Sequence, residues 1–340
     1  MNIINRLIRK SLSEALALLP FSLLIKIQRK KLLLPLYHTV SDNRIPHVIN
    51  LFPYCDVKQF ETDLDFLQKY FSPISLNDLM NSIIGDLDLP DNSFLLSFDD
   101  GLREVFEVIA PILKRRAVPA VIFLNSAFID NRDMSFRYKA SLLIDRLETI
   151  MQPEIINKLS TIVQAQVPSL KNIKAAILGV KYQNRHLLDE AAKVMEIDFT
   201  GYLNEKKPYM NSNEIRDLIH NGFMIGAHSI DHPLFRDISL DEQLAQVLTS
   251  LSELKEQFDI PYNAFAFPFS DKGVAKEFFD QTHKNGIIDV SFGTSYFSSG
   301  HCANNLQRQP MEGQDFHADL IYKNLYCQEI LIDLEKKFNL

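Results

Sequence analysis

Two adjacent carboxylates, Asp99 and Asp100, close the apolar run Phe94-Leu95-Leu96 within the segment Ser97-Phe98-Asp99-Asp100-Gly101. A buried strand ends this way when it reaches the rim of a sheet and lifts charge into a cleft. Carboxylates in such a place are costly unless a metal, a cation or a shared proton compensates them. Farther along, His228-Ser229-Ile230-Asp231-His232 follows a second apolar run, Gly222-Phe223-Met224-Ile225-Gly226-Ala227. One aspartate and two histidines suit a divalent cation with open coordination positions, which leaves a second aspartate to act as a base. Taken singly, Asp-Asp-Gly is as often a turn or a helix N-cap, and a His-x-x-x-His pair arises readily by chance. Both at strand ends, in one chain, they point to a metal-dependent hydrolase.

Positioning them requires a parallel sheet. Strands are expected at 32–38, 73–75, 93–98, 120–124, 223–228, 264–267 and 287–292, each a nearly continuous apolar run. Helices are expected between them: 56–71, with Phe60, Leu64, Leu67 and Phe71 on one face; one opened by Asn77; 102–115; about 239–258; and about 272–285. Continuous apolar strands alternating with helices mean a parallel sheet covered on both sides. The stretch from about 130 to 212 breaks the alternation. It carries helical periodicity at 138–151 and 155–164, then a polar segment ending near Glu205-Lys206-Lys207-Pro208, and reads as a helical insertion between two strands, with a small separate domain as the alternative.

Composition narrows the function. The 340 residues are 46% hydrophobic with a net charge of −7, so a general nucleic-acid partner has no electrostatic support. Three widely spaced cysteines, Cys55, Cys302 and Cys327, form no disulfide framework or Cys-x-x-Cys zinc site. That favours a reducing compartment, and the expected location is cytoplasmic. The apolar stretch Ala15 to Ile25 is interrupted by Pro20 and too short to span a bilayer. It is followed by Lys26-Ile27-Gln28-Arg29-Lys30-Lys31 rather than by a cleavage site. Residues 1–30 read as an amphipathic helix with Ile4, Leu7, Leu12, Ala15 and Leu19 near one face and Arg6, Arg9 and Lys10 elsewhere. Two readings stay open: a helix packed across the end of the barrel, or a peripheral contact with the inner face of a membrane.

The quoted segments resemble the motifs of the polysaccharide deacetylase family (carbohydrate esterase family 4, the NodB-homology fold). Ser97-Phe98-Asp99-Asp100-Gly101 is similar to its first motif, His228-Ser229-Ile230-Asp231-His232 to its second and Phe267-Pro268-Phe269 to its third; Leu36-Tyr37-His38 resembles its opening strand. The resemblance runs from Leu32 to at least Pro310. It implies a distorted (β/α)7 barrel, here with a helical insertion and an N-terminal helical extension. It also implies that Asp100, His228 and His232 hold a divalent metal, that Asp99 is the general base, and that the Phe269 backbone N–H donates to an oxyanion. Zinc is the first expectation for such a ligand set; cobalt, nickel and manganese also suit it. Asp231 is read as an acceptor orienting a histidine ligand.

Two departures matter. The third motif lacks the arginine that orients the base in many members, since Phe265, Ala266 and Phe267 stand nearby; Arg308, after the last strand, is the substitute. The late Leu-x-His motif, source of the general acid, is also missing. His317 is the candidate acid, His38 a pocket residue, and His301 a loop residue. The reading is a hydrolase that removes N-acetyl or O-acetyl groups from a sugar or polysaccharide. Its rivals are a hydrolase of another C–N bond, such as a cyclic amide, and a noncatalytic glycan-binding barrel. The oligomeric state is open.

Overall fold

Alternate residues of a strand face opposite ways, and here that alternation separates a barrel lumen from a helix-covered exterior. Val121, Phe123, Ala264, Ala266, Val290 and Phe292 pack together inside. Their neighbours Ile122, Leu124, Phe265 and Phe267 join a different cluster with the surrounding helices. The structure is a computed structural model that describes residues 3–28, 32–150, 152–294, 302–313 and 317–338. The lumen is walled by parallel strands: β1 (Pro35–Tyr37), β2 (Leu96–Phe98), β3 (Ala120–Leu124), β4 (Met224–Ala227), β5 (Ala264–Ala266), β6 (Val290–Gly293), β7 (Asn305–Gln307) and β8 (Gln309–Pro310). They lie side by side in chain order from β1 to β7. β7 pairs with β6, while β8, one residue on, pairs with β1 at the opposite edge. One continuous segment therefore closes the sheet as a seventh stave, in agreement with a distorted (β/α)7 barrel.

The expected strands 32–38 and 93–98 are each divided. Leu32–Leu33 and Ser93–Phe94 form a small parallel sheet with Ser72–Pro73. After it, Leu34 and Leu95 turn into the lumen, where Leu76 and Leu79 of the helix Leu76–Ile83 fill the base. That helix starts one position earlier than Asn77 would place it. Ser75 is its N-cap and Asp78 completes a capping box, which satisfies donors that Asn77 cannot reach. The helix expected over 102–115 opens with a π-helical turn, Val105–Ile109, before Ala110–Arg116. Asp56 caps the helix Val57–Tyr70 through the N–H of Gln59.

Six α-helices separate β3 from β4 among the described residues. Phe136–Leu147 and Pro153–Ile162 match the expected periodicity. The segment read as polar folds into three more, Leu170–Gly179, His186–Val194 and Phe199–Lys206, which pack Ile173, Ile177, Leu188 and Ala191 with Leu143 and Leu159 in a core of their own. Ser212–His220 leads into β4. At the other end of the chain, Pro20 divides the expected N-terminal helix into Ile3–Leu18 and Phe21–Gln28. This pair packs chiefly on the C-terminal helix Ala318–Phe338. The Phe21 ring meets Phe66, Tyr70 and Tyr326, and Leu24 is fully buried. Among the described residues, no helix is long and apolar enough to cross a membrane.

Candidate active site

The strand alternation carries Leu95 and Ser97 inward, and Asp99 continues the series at the C-terminal rim of β2. There it meets Arg308. The guanidinium donates two parallel hydrogen bonds, Nη1 to Oδ1 and Nη2 to Oδ2, both 2.7 Å, with both side chains almost wholly buried. Arg308 sits at the switch between β7 and β8, its backbone N–H bonded to the Gly293 carbonyl (2.9 Å) and its guanidinium against the faces of Phe123 and Phe292. Burial pushes the Asp99 carboxyl up, but the charge of Arg308, with His228, outweighs it and holds Asp99 below the ordinary carboxylate range. The arginine missing from the third motif is thus supplied from the closing stave.

Asp100 turns out of the strand in the left-handed region, φ 70°, and Gly101 follows at φ 70°, where a Cβ would lie 2.8 Å from the Leu124 side chain. Asp100 Oδ1 lies 3.2 Å from His232 Nε2 and 3.5 Å from His228 Nε2. One ligand atom from each of these three buried residues falls within 4.8 Å of the other two. His228 Nδ1–H donates to the Ala266 carbonyl at the end of β5 (2.9 Å), which turns the Nε2 lone pair toward Asp100. Burial pushes His228 down to about 4, so its ring is neutral at pH 7. His228 Nε2 and Asp100 Oδ1 are both buried without a hydrogen-bond partner. Two converging orphan acceptors beside a third donor atom fit a divalent cation, which would satisfy them together.

The histidine loop is held from β3. Asn125, the residue after that strand, donates through Nδ2 to the His228 carbonyl. The backbone N–H groups of Ser126 and Ala127 donate to the carbonyls of Ser229 and Ile230, at 3.2 and 3.1 Å. Ser229, His232 and Phe269 also have left-handed φ values (70°, 66° and 58°), so four non-glycine residues with this strain surround the cluster. The Phe269 ring lies edge-on to His232 at 4.6 Å between centroids, and the residue is partly exposed.

His38 stands at the end of β1. Its Nδ1–H donates to Glu312 Oε2 (2.6 Å), while Glu312 Oε1 accepts the backbone N–H groups of His38 and Thr39. Burial lowers the imidazole, but Glu312, helped by Asp100 and Asp99, raises it to about 9. His38 is therefore cationic at neutral pH and within electrostatic reach of both carboxylates.

Two expected positions lie elsewhere. His317 is exposed and lines a groove with Phe21, Phe66 and Tyr70 outside the barrel. The following residue is anchored there because Ala318 N–H donates to Asp63, the acceptor of the outward-facing Tyr37 hydroxyl. Asp231 orients no histidine: it accepts from Tyr182 (2.6 Å) and Gln246 (2.7 Å), while a backbone carbonyl serves His228. His301 lies outside the described residues. Three contributors escaped the sequence reading: Asn125, Glu312 and Tyr138, whose hydroxyl donates to Asp100 Oδ2 at 2.5 Å. Asn125 alone had a usable signal, its place at a strand's C-terminal end.

The family model described as polysaccharide deacetylase matches residues 86–160 and 188–287, just over half of the chain. Among solved structures, the deacetylase PplD of Streptococcus pyogenes, in complex with acetate, superposes with a TM-score of 0.56 at 13% identity, covering 87% of this chain and 98% of that one. IcaB from Ammonifex degensii gives 0.54 at 14% identity, over 88% and 98%. A polysaccharide deacetylase from Bacillus cereus gives 0.52 at 10%, over 87% and 69%. At such identities the likeness is one of fold. No curated protein matches the sequence.

Proposed function

The chain belongs to the polysaccharide deacetylase family, and on that premise we propose that it is a metal-dependent hydrolase releasing acetate from an N-acetylated, or O-acetylated, sugar or polysaccharide. The observation that carries this reading is the convergence of Asp100, His228 and His232 beside an ionised, arginine-clamped Asp99. The three ligands would hold zinc, or cobalt, nickel or manganese in its place. A bound cation would acidify its water and polarise the acyl carbonyl. Asp99, kept ionised by Arg308, accepts the proton of the attacking water. The Phe269 N–H donates to the carbonyl oxygen as negative charge develops on it.

His38 is better suited than His317 to deliver a proton to the departing amine. It is already protonated at neutral pH, Glu312 fixes its ring, and it faces the carboxylates from the next stave. Arg308 also weakens the case for a noncatalytic barrel, because the clamp on the base is present although its motif is not.

The test is acetate release from N-acetylated saccharide oligomers with added zinc. Asp99→Asn is expected to lose turnover by about 10²- to 10⁴-fold while still binding metal; full turnover in that variant would remove Asp99 as base. Asp100→Ala and His232→Ala lose the metal itself.

A further inference from the structure

A carboxylate with two free oxygens can rotate; one with an oxygen already engaged presents the other in a fixed direction. Asp100 is of the second kind. Its Oδ2 takes the Tyr138 hydroxyl at 2.5 Å, and only Oδ1 faces the two imidazoles. Tyr138 is contributed by the inserted helix Phe136–Leu147 rather than by the barrel, and it is 2% exposed. Its ring meets His47 edge-on at 5.3 Å and lies tilted against Tyr209 at 6.0 Å. His47 in turn is paired through Nδ1 with the Tyr202 hydroxyl at 3.0 Å.

The insertion is also tied to the turn that bears Asp100. Met210 N–H donates to the Gly101 carbonyl (3.1 Å), and Arg103 N–H to that of Pro208 (2.9 Å). Leu102 and Tyr209 form an isolated antiparallel bridge. Asn131, where the insertion begins, exchanges two 2.9 Å hydrogen bonds with the Tyr209 backbone, where it ends. Its start and its finish are thus fastened together within two residues of Asp100.

We propose that the helical insertion is a positioning element for the metal site, with Tyr138 the residue that orients Asp100. The inference rests on Asp100 being a metal ligand. It assigns the insertion a task in retaining the cation: the block fixes the direction in which Asp100 presents Oδ1. Tyr138 contacts no reacting atom in this role; it acts through Asp100.

The experiment is zinc competition against a chromophoric chelator on the full chain, with thermal unfolding of the metal-free protein in parallel. Tyr138→Phe is expected to weaken zinc binding at least about 10-fold, the scale of losing a hydrogen bond to a metal ligand. Leu143→Ala, a cavity in the insertion's own core, controls for simple destabilisation. It should lower the unfolding temperature and leave zinc affinity within twofold. A Tyr138→Phe protein that binds zinc within twofold of the wild type overturns the proposal, as does an equal loss in Leu143→Ala. Should Tyr138→Phe fail to fold, Tyr202→Phe, which frees His47, is read instead, with roughly threefold weaker zinc binding supporting the proposal and unchanged binding overturning it. A folded wild type that takes up no zinc refutes the metal reading itself, a result distinguishable from failure of the Tyr138 step alone.

Discussion

Replacing Arg308 with methionine removes the guanidinium but keeps an unbranched side chain against Phe123 and Phe292. Asp99 is then buried without its partner. In the intact protein its carboxyl is depressed below the ordinary 3.8, so the pair's stabilisation is present above that value and fades as pH falls through the lower folded one. In Arg308→Met the upward push of burial loses its main opponent, with only His228 and His38 still acting against it, and the folded value is expected to rise above the unfolded one. The sign reverses: the variant is penalised wherever the unfolded carboxyl is ionised, and the penalty relaxes in acid. Breaking a buried pair from one side costs about 3–5 kcal/mol, a large part of the roughly 5–15 kcal/mol that holds a typical protein folded. Urea titrations of the metal-free protein at pH 8 and pH 5 measure it. A loss of that order is expected at pH 8, with a clearly smaller one at pH 5. The double variant Asp99→Leu/Arg308→Met, with no stranded charge, should recover most of it. A loss under about 1 kcal/mol at pH 8, or one identical at both pH values, would refute the argument that Arg308 compensates Asp99.

Glu312→Gln removes the main support for the raised value of His38. The alkaline limb of the activity profile, expected near 9, should then move toward the ordinary imidazole value of 6.5, and an unmoved limb dismisses His38 as the acid. Stability follows the same sign. The pair stabilises fully below 6.5 and ceases to do so as pH passes about 9, so wild type and variant should converge in alkali. Gly293→Ala would set a Cβ 2.2 Å from the carboxylate of Asp271, which Asn305 and Gln307 hold in place. It should destabilise by about 1–3 kcal/mol, and an unchanged melting temperature would mean that Asp271 yields freely. A peripheral membrane contact is also testable, because Leu18 is 86% exposed and Leu23 and Ile27 are exposed beside Lys26. Flotation with anionic vesicles should recover the wild type and not Leu18→Asp/Ile27→Asp; equal recovery ends the idea. Deleting the segment is the poorer test, since Phe21, Leu24 and Ile25 belong to the core.

The barrel was legible because parallel strands buried on both faces are written as solid apolar runs, and 120–124 was bounded to the residue. The candidate site residues were legible because strand ends must carry the chemistry in such a sheet, and Asp99, Asp100 and His228 follow apolar runs directly. Arg308 could be picked out as an arginine beyond the last apolar strand, though nothing local announces that it will be buried. Glu312, Tyr138 and Asn125 were hidden for a different reason. Each serves a partner far away along the chain, and each is an ordinary polar residue in its own neighbourhood. The divided strands at Leu34 and Leu95 were equally hidden, since a run of leucines does not say which of two sheets it joins. The helices of 170–206 were missed because their apolar faces are narrow and answer to one another rather than to the barrel.

The seventh stave has a kinetic meaning. β7 and β8 lie on either side of Arg308, and between them they seal the two free margins of the sheet. A partly folded chain in which this segment has not yet docked has an open margin and an Asp99 without its counter-charge. On the proposed role of Asp99 as base, ring closure and competence for proton transfer are coupled through this segment, and turnover during refolding should appear no earlier than its docking.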